Sequence, residues 1–594
     1  MSVHKLLLHT TIPGAPSTTR AVTTSLSSYQ SFVAYGSGNN VVVRDIAQTS
    51  GEVVCCWRHT VPVTAVRISP SGRLVASGDQ KGTVILWWRR PDTHEVLNTA
   101  QLEGPVRDLA WTFDEERLVV VGDGRSNFAV AIGVTGNTIG CINGHTQNIL
   151  SCDMRGERPY RVVTGSADSM VGLYEGPPFK FVRNVKEHAE KVMCVRYSPD
   201  MESIATVSRS GDIVLLDGKT ADTQKSIKTG HKGSIFSLAW SADGCKIVTA
   251  SADKCVKIFD VCTGSLVATC AIGTAAADMQ QGIVYTTQGI VSSSLSGKLT
   301  VVNEQGEVLR SILGHQGRIL LVHKEPSGLI VSVSVDRALV WQDDKAAAVG
   351  NAYEVPLATD MINAAAASEG KLFLKAGDEL LCYTLNDSKL DVLLKEAASV
   401  MALAPTVDGY IALLMKNSFV IAGPDGGKVA EEKFERFDGS SAASFGQMVA
   451  FGGDKVVKLY RVAPGAPPVE TLCFSGHHTG CVSCVAFSHD GLLLASGDAC
   501  RNIFVWSSTD GSLLYKDLVF HTLRVTSLAF SPANKGWLFS GGMDASLIVW
   551  DLESKKRRME DMAHRGGVSA VFWAADETLL SGGSDGCVRI WKRE

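Results

Sequence analysis

Residues 59–87 read HTVPVTAVRISPSGRLVASGDQKGTVILW, and the order of chemistry along them decides the fold. A His opens the stretch. An apolar strand, a Ser-Pro turn, a strand of small and apolar residues, an Asp turn and a strand closing on an aromatic follow it. Within the first strand, Val63-Thr-Ala-Val-Arg-Ile68, the two-residue alternation gives a sheet one face that can pack against a neighbour. The same order returns from His231 to Phe259, His477 to Trp506, His521 to Trp550 and His564 to Trp591, with His-to-aromatic spacings of 28, 28, 29, 29 and 27 residues.

Weaker copies lie between them, at His145 to Tyr174, His188 to Leu216 and His315 to Trp341. The Asp turn recurs at Asp79, Asp168, Asp253, Asp336, Asp498, Asp544 and Asp585. A period of about 40 to 45 residues with an aromatic ending the third strand marks WD-type blades of four strands. At about 42 residues per blade, the 594 residues hold about fourteen blades, and one ring takes about 4 to 8. The expected fold is therefore all-β, with two seven-bladed WD-repeat β-propellers over residues 13–313 and 314–594. The last blade ends at Trp591 with little chain left for its outer strand, so the segment from Lys5 to Thr10 is predicted to supply it, residues 1–12 completing the second ring. Residues 343–470 are the least regular. Their Ala-rich stretches at Ala346 to Ala348 and Ala364 to Ala367 must still yield about three blades, and Pro464 to Pro468 reads as a turn-rich connector. A His and an Asp recurring at fixed blade positions predict a buried hydrogen-bonded pair, because a buried polar side chain needs a partner.

Composition narrows the function. Hydrophobic residues make up 45% and charged residues 20%, and the net charge is -4, so no basic field suggests nucleic-acid binding. The N-terminus carries an apolar run of three residues, Leu6 to Leu8, too short for a signal segment or a membrane span. The expectation is a cytoplasmic chain, a monomer, with no membrane partner. Fifteen scattered cysteines without framework spacing predict reduced thiols.

Catalytic signatures are thin. Gly582-Gly-Ser-Asp-Gly586 matches the Gly-x-Ser-x-Gly pattern of a nucleophile elbow, but it occupies the blade position of Gly165-Ser-Ala-Asp168, between two strands, whereas an elbow joins a strand to a helix. Cys481 and Cys484 near His477 and His478 have zinc-like spacing. Strand geometry turns residues three apart to opposite faces, so no metal site is expected. The expectation is no enzyme and no cofactor. The loop Val121-Gly-Asp-Gly-Arg125 reads either as a binding loop presenting Asp123 and Arg125 or as a solvated Asp-Gly hairpin.

From Thr164 to Tyr197 the sequence becomes specific. Thr164-Gly-Ser-Ala-Asp-Ser-Met-Val-Gly-Leu-Tyr174 runs into Glu175-Gly-Pro-Pro-Phe-Lys-Phe181. With Asp108-Leu-Ala-Trp-Thr112, Val120-Val-Gly-Asp-Gly-Arg125, Arg158-Pro-Tyr-Arg161 and Ser540-Gly-Gly-Met-Asp544, this resembles the actin-interacting protein 1 family, WD-repeat double propellers that assist ADF/cofilin. The resemblance runs through the first ring and the last three blades. It implies binding to ADF/cofilin-decorated actin filaments, their severing and disassembly, and limited regrowth from ends, at the actin cytoskeleton. By the same resemblance the contact face lies on the first ring, at Asp123, Arg125, Asp168, Lys180 and Phe181. Two departures touch that face: Ala167 precedes Asp168 where relatives often carry two acids, and Lys191 stands where an aromatic is usual. Pro177 and Pro178 restrict the backbone before Lys180 and Phe181, so little ordering entropy is lost on contact. Strand alternation would place Phe179 and Phe181 on one face and Lys180 on the other, leaving either Phe open to packing as core. The competing reading is a generic WD-repeat scaffold or adaptor.

Overall fold

The computed structural model describes residues 6–47, 53–90, 95–125, 127–342, 352–357, 361–368, 370–395, 397, 399–406, 409–463, 465–534, 536–574 and 577–593. Among the described residues, fourteen four-stranded antiparallel sheets are formed, and in all but one the four strands are consecutive in the chain. The chain divides into two compact units, residues 15–314 and residues 1–14 with 315–594, and seven sheets fall in each.

The polar positions of the innermost strands explain how sheets join. Thr526 Oγ1 donates to Val568 O of the next sheet at 2.6 Å, and Ser483 Oγ donates to Val525 O at 2.5 Å. Alternation there sets core packing against a sheet-to-sheet hydrogen bond, not against water. In the 15–314 unit the seventh sheet returns to the first: Ser28 Oγ donates to Tyr285 O at 2.7 Å, and Leu26, Val33 and Val42 pack with Val284, Val291 and Val301. In the other unit, Ser569 Oγ donates to Ile319 O at 2.6 Å and closes the last sheet on the first.

That last sheet is the exception in strand order. Its fourth strand is the N-terminal Leu6–Ile12, which pairs antiparallel with Val588–Arg593 so that Leu6 faces Arg593, Leu8 faces Trp591 and Ile12 faces Val588. Leu6 enters the core with Trp573, Leu579 and Trp591. Lys5 lies outside the described residues, as do Ala346 to Ala348 and Pro464.

The repeated His and Asp meet directly inside the blades that hold His59, His145, His231, His478, His521 and His564. His59 Nδ1 lies 2.9 Å from Asp79 Oδ2 and its Nε2 2.8 Å from Ser77 Oγ. At His521 the Ser540 hydroxyl also accepts from Trp550 Nε1 at 2.8 Å, which completes an Asp-His-Ser-Trp chain. One expectation is corrected: the repeat His is His478, bonded to Asp498 and Ser496, and not His477. The residue before it is exposed and stacks its ring edge on Trp506. His315 reaches Asp336 through the Ser334 hydroxyl.

His188 keeps Thr206 as a partner at 2.8 Å, but Arg209 and Ser210 occupy its Asp turn. Burial lowers its imidazole to about 4 from 6.5, against weaker pulls from Asp212 and Glu187. A histidine depressed on folding stabilises the fold above the unfolded value, and that contribution is lost as pH falls through the folded one. Acidification from pH 6.5 to 4 is therefore expected to cost the 15–314 unit about 3 kcal/mol through this group. Urea unfolding of His188→Gln across that window should show a flatter pH slope than the unaltered protein. An equal slope would remove His188 as its source.

Residues 362–474 form three sheets with a different filling. Phe419, Phe434, Phe437, Phe451 and Tyr460 gather there, Phe419 lying 4.6 Å from Phe451 and 5.0 Å from Tyr460 between centroids. The Ala364 to Ala367 stretch is a strand, Ile362–Ser368. Ser584 sits in the turn between Leu579–Gly583 and Val588–Arg593, two strands. Cys484 is buried on Val482–Phe487 while Cys481 precedes that strand and points its thiol to Ser440 Oγ. Among the described residues no three His, Cys, Asp or Glu side chains converge on a metal position, and no helix is long and apolar enough to cross a membrane.

Candidate functional site

The five candidate residues lie on two neighbouring blades of the 15–314 unit, residues 106–141 and 149–185. Asp123 and Arg125 follow the strand Arg117–Gly122, and Asp168 follows the equivalent strand Arg161–Ser166, so both loops project from the same blade end. Lys180 opens the outer strand Lys180–Val185. There Glu175 pairs with Lys180 and Val171 with Val185, which puts Lys180 at the opposite end of the blade from Asp168. At about 3.3 Å per residue the ends of this ladder are about 13 Å apart. The structure therefore brings Asp123, Arg125 and Asp168 to one end and leaves Lys180 at the other, with Phe181 on the outer rim.

The two acids are already engaged. Asp123 accepts from Arg107 Nε at 2.9 Å and from Arg107 Nη2, and its backbone N–H donates to Pro105 O at 3.0 Å. Gly124 fits the turn because a Cβ there would meet Asn127 O. Arg125 is exposed at the tip. Asp168 accepts from His145 Nδ1 at 3.0 Å, from Thr146 N at 3.0 Å and from Met170 N at 3.0 Å. Burial alone would raise its carboxyl, but those N–H donors and His145 outweigh it and hold the pKa below the usual value. It is the Asp of its blade's His-Asp pair, and its side chain is 7% exposed. Arg125, Thr146 and Gln147 are exposed at this end.

The expected sharing of a face by Phe179 and Phe181 is also corrected. Phe179 has φ of 64° and belongs to the turn, so the pleat of the outer strand does not include it. It is buried between the two blades with Ala110, Ile142 and Tyr160. Phe181 is 49% exposed, rests edge-on against Tyr174 at 5.8 Å, and lies over Gly144, whose φ of 135° and missing Cβ leave the room. Lys180 is exposed and has no ion pair among the described residues. Sequence reasoning missed Phe113, 69% exposed at the turn end that Lys180 shares, although a Phe in place of the Pro of a Ser-Pro turn is a readable signal. Beside it Arg158 and Arg117 stack on Tyr160, whose hydroxyl donates to Asp114 at 2.8 Å. This end can offer a partner cations and aromatic faces on a rigid sheet.

With that geometry in place, likeness to other proteins becomes informative. The repeat family described as WD domain, G-beta repeat matches residues 51–87, 179–217, 223–260, 468–507, 511–551 and 556–592. WD repeat-containing protein 1 of Gallus gallus is 33% identical over 575 residues, covering 94% of this chain and 93% of that protein. The chain belongs to the WD repeat-containing protein 1 family. Similarity extends to the 66 kDa stress protein of Physarum polycephalum, 31% identical with 94% of each chain covered, and to Actin-interacting protein 1 of Drosophila melanogaster, 29% identical over 94% of this chain and 93% of that one. The alignments cover 94% of this chain, more than could leave out the irregular residues 362–474.

Proposed function

We propose that this chain is a non-enzymatic actin-filament cofactor. It binds filaments decorated by ADF/cofilin, promotes their severing and disassembly, and limits regrowth from the ends, in the cytoplasm at the actin cytoskeleton. The observation that carries this reading is likeness over 94% of the chain to a protein named for interacting with actin. The two compact units act as two seven-bladed propellers, the second completed by the N-terminal strand. No bond is made or broken. The work is differential binding, in which contacts favouring a deformed filament shift its equilibrium toward fragments.

Contacts on the first unit come from Lys180, Phe181 and Arg125, while Asp123 and Asp168 position their loops from within. Phe181 beside an unpaired cation is the composition of an interface anchor. Lys180→Ala with Phe181→Ala is expected to cut cofilin-dependent disassembly about tenfold or more at fixed concentration, with unchanged melting. The assay is sedimentation of actin with ADF/cofilin and with this protein, each alone and combined. A shift of actin from pellet to supernatant only in the triple mixture supports the reading. Actin left in the pellet by the unaltered protein refutes it, and an unaltered shift with the double variant removes these two residues from the contact.

A further inference from the structure

We propose that the seam where the 15–314 unit closes, between its first blade and its last, holds a phosphate group between Arg44 and Arg310. The site lies on residues 26–56 and 280–312, on other blades than Lys180 and Phe181, and does not depend on the actin reading. Arg44 belongs to the strand Asn40–Asp45, where the ladders set it opposite Val33 on one side and Val53 on the other. Val33 and Val42 pack with Val284, Val291 and Val301 of the last blade. Residues opposite each other in a ladder share a face, as do residues two apart on a strand, so Arg44 projects toward that blade. Arg310 sits on the outermost strand Val308–Ile312 opposite Val301, and therefore projects back toward the first blade. Val53 and Ile312, both half-buried, pack against the same seam.

Two cations on facing sides of one seam need a counter-charge. Arg44 and Arg310 form no ion pair and no hydrogen bond among the described residues, and Arg44 Nε is fully enclosed without an acceptor. Burial and then the Arg44 charge hold the Arg310 guanidinium below its ordinary pKa, a shift that the pull of Asp45 does not cancel. Asp45 itself accepts from Ala47 N–H at 2.8 Å. An arginine stem lying on apolar surface with its head in water would account for either residue alone. It does not account for an enclosed donor left unpaired, or for two guanidinium groups close enough that one depresses the other. A phosphate group supplies what is missing. It carries about 1.5 to 2 negative charges at pH 7, against two cations, and its oxygens match the forked N–H donors of arginine in pairs. Beside apolar Val53 and Ile312 the local dielectric falls, which strengthens that pairing. A carboxylate, with one charge, would neutralise only one of the two arginines.

The test is hydrogen exchange of the full chain with inorganic phosphate, with glycerol 3-phosphate, and with sodium chloride at matched ionic strength. At about ten times the dissociation constant read from a calorimetric titration, phosphate should slow exchange in the strands Asn40–Asp45 and Val308–Ile312 about tenfold, and sodium chloride should not. Arg44→Met and Arg310→Met, which keep the apolar stems, should each abolish the slowing. Without phosphate, Arg310→Met should melt no lower than the unaltered chain, because it removes a repulsion across the seam. Glycerol 3-phosphate acting as inorganic phosphate does would assign a phosphate ester, and inorganic phosphate acting alone would assign the free ion. The proposal falls if phosphate leaves exchange in these strands unchanged, if chloride slows it equally, or if both variants keep the slowing, as a general stabilising effect of the salt on the fold would have it. None of these outcomes alters the actin sedimentation result.

Discussion

Replacing Asp108 by Ala is expected to destabilise the 15–314 unit by about 3–5 kcal/mol. Asp108 lies on the innermost strand Val106–Trp111, where alternation would accept an apolar residue, yet its carboxylate joins four successive blades. Arg67 of the blade before reaches it at 3.1 Å, Ser151 Oγ of the blade after donates to it at 2.9 Å, and Arg196 from the blade beyond reaches it at 3.0 Å. The Cys152 and Leu109 N–H groups also donate to it. Burial pushes this carboxyl up, and Arg196, Arg67 and the N–H and hydroxyl donors overcome that to hold it below its ordinary value. Removal strands two guanidinium groups in a half-buried setting, which costs more than the pair itself contributes. A lowered carboxylate stabilises the fold above the unfolded pKa, and the contribution is lost as pH falls through the lower folded one. Asp108→Asn should keep some hydrogen bonds and lose less than Ala, and its stability should respond less to acid below about pH 4. Calorimetry of the intact chain, with hydrogen exchange to assign the transition, measures both. A shift under about 1 kcal/mol for Asp108→Ala would show that neighbouring donors and water replace the hub.

The difference between legible and illegible parts of this chain is physical. Blades such as 59–101 declare themselves because one buried hydrogen-bond chain demands His, Asp and Ser at fixed separations, and substitution at any of them leaves a polar group stranded. Among the described residues, 362–474 carry no such chain in their sheets. Their cores are filled by Phe419, Phe434 and Phe451, and aromatic packing admits many sequences, so the repeat fades while the four-stranded sheet persists. The N-terminal closing strand was readable from a shortage of chain after Trp591. At the candidate site, sequence placed the loops but not the side chains. An acid in a tight turn looks the same whether it faces water or a neighbour, so Asp123 reads as a surface residue although Arg107 holds it, whereas Asp168 falls both in the predicted His-Asp pair, which His145 forms, and on the face that the resemblance implies. A period of two carried into a turn puts Phe179 and Phe181 on one face. The positive φ of Phe179 breaks that period and sends one ring into the core and the other to solvent.

Deleting residues 2–12 is expected to have the largest effect of all on the unit that contains residues 315–594, a loss of about 5 kcal/mol. Leu6 and Ile12 are buried, and each contributes about 1.5–3 kcal/mol on leaving water. The ladder from Leu6–Arg593 to Ile12–Val588 adds backbone hydrogen bonds, which the cost of ordering the strand largely offsets. The remainder comes from what the strand covers. Without it Val588–Arg593 becomes an open edge, and Trp591 and Trp573 lose Leu6 from one side of their cluster. An uncovered edge beside aromatic core is also a template for association, so the truncated chain should aggregate on heating where the full one does not. Leu6→Asp gives a milder version, since one buried charge disrupts the cluster while the ladder remains. A synthetic peptide of residues 1–14 added to the truncated chain should restore the upper part of the melting transition, because it refills the same edge. The 15–314 unit, whose seven sheets all use their own strands, should melt unchanged in each case. Thermal unfolding of the deletion variant indistinguishable from that of the full chain would mean that the N-terminal strand decorates the last sheet without closing it.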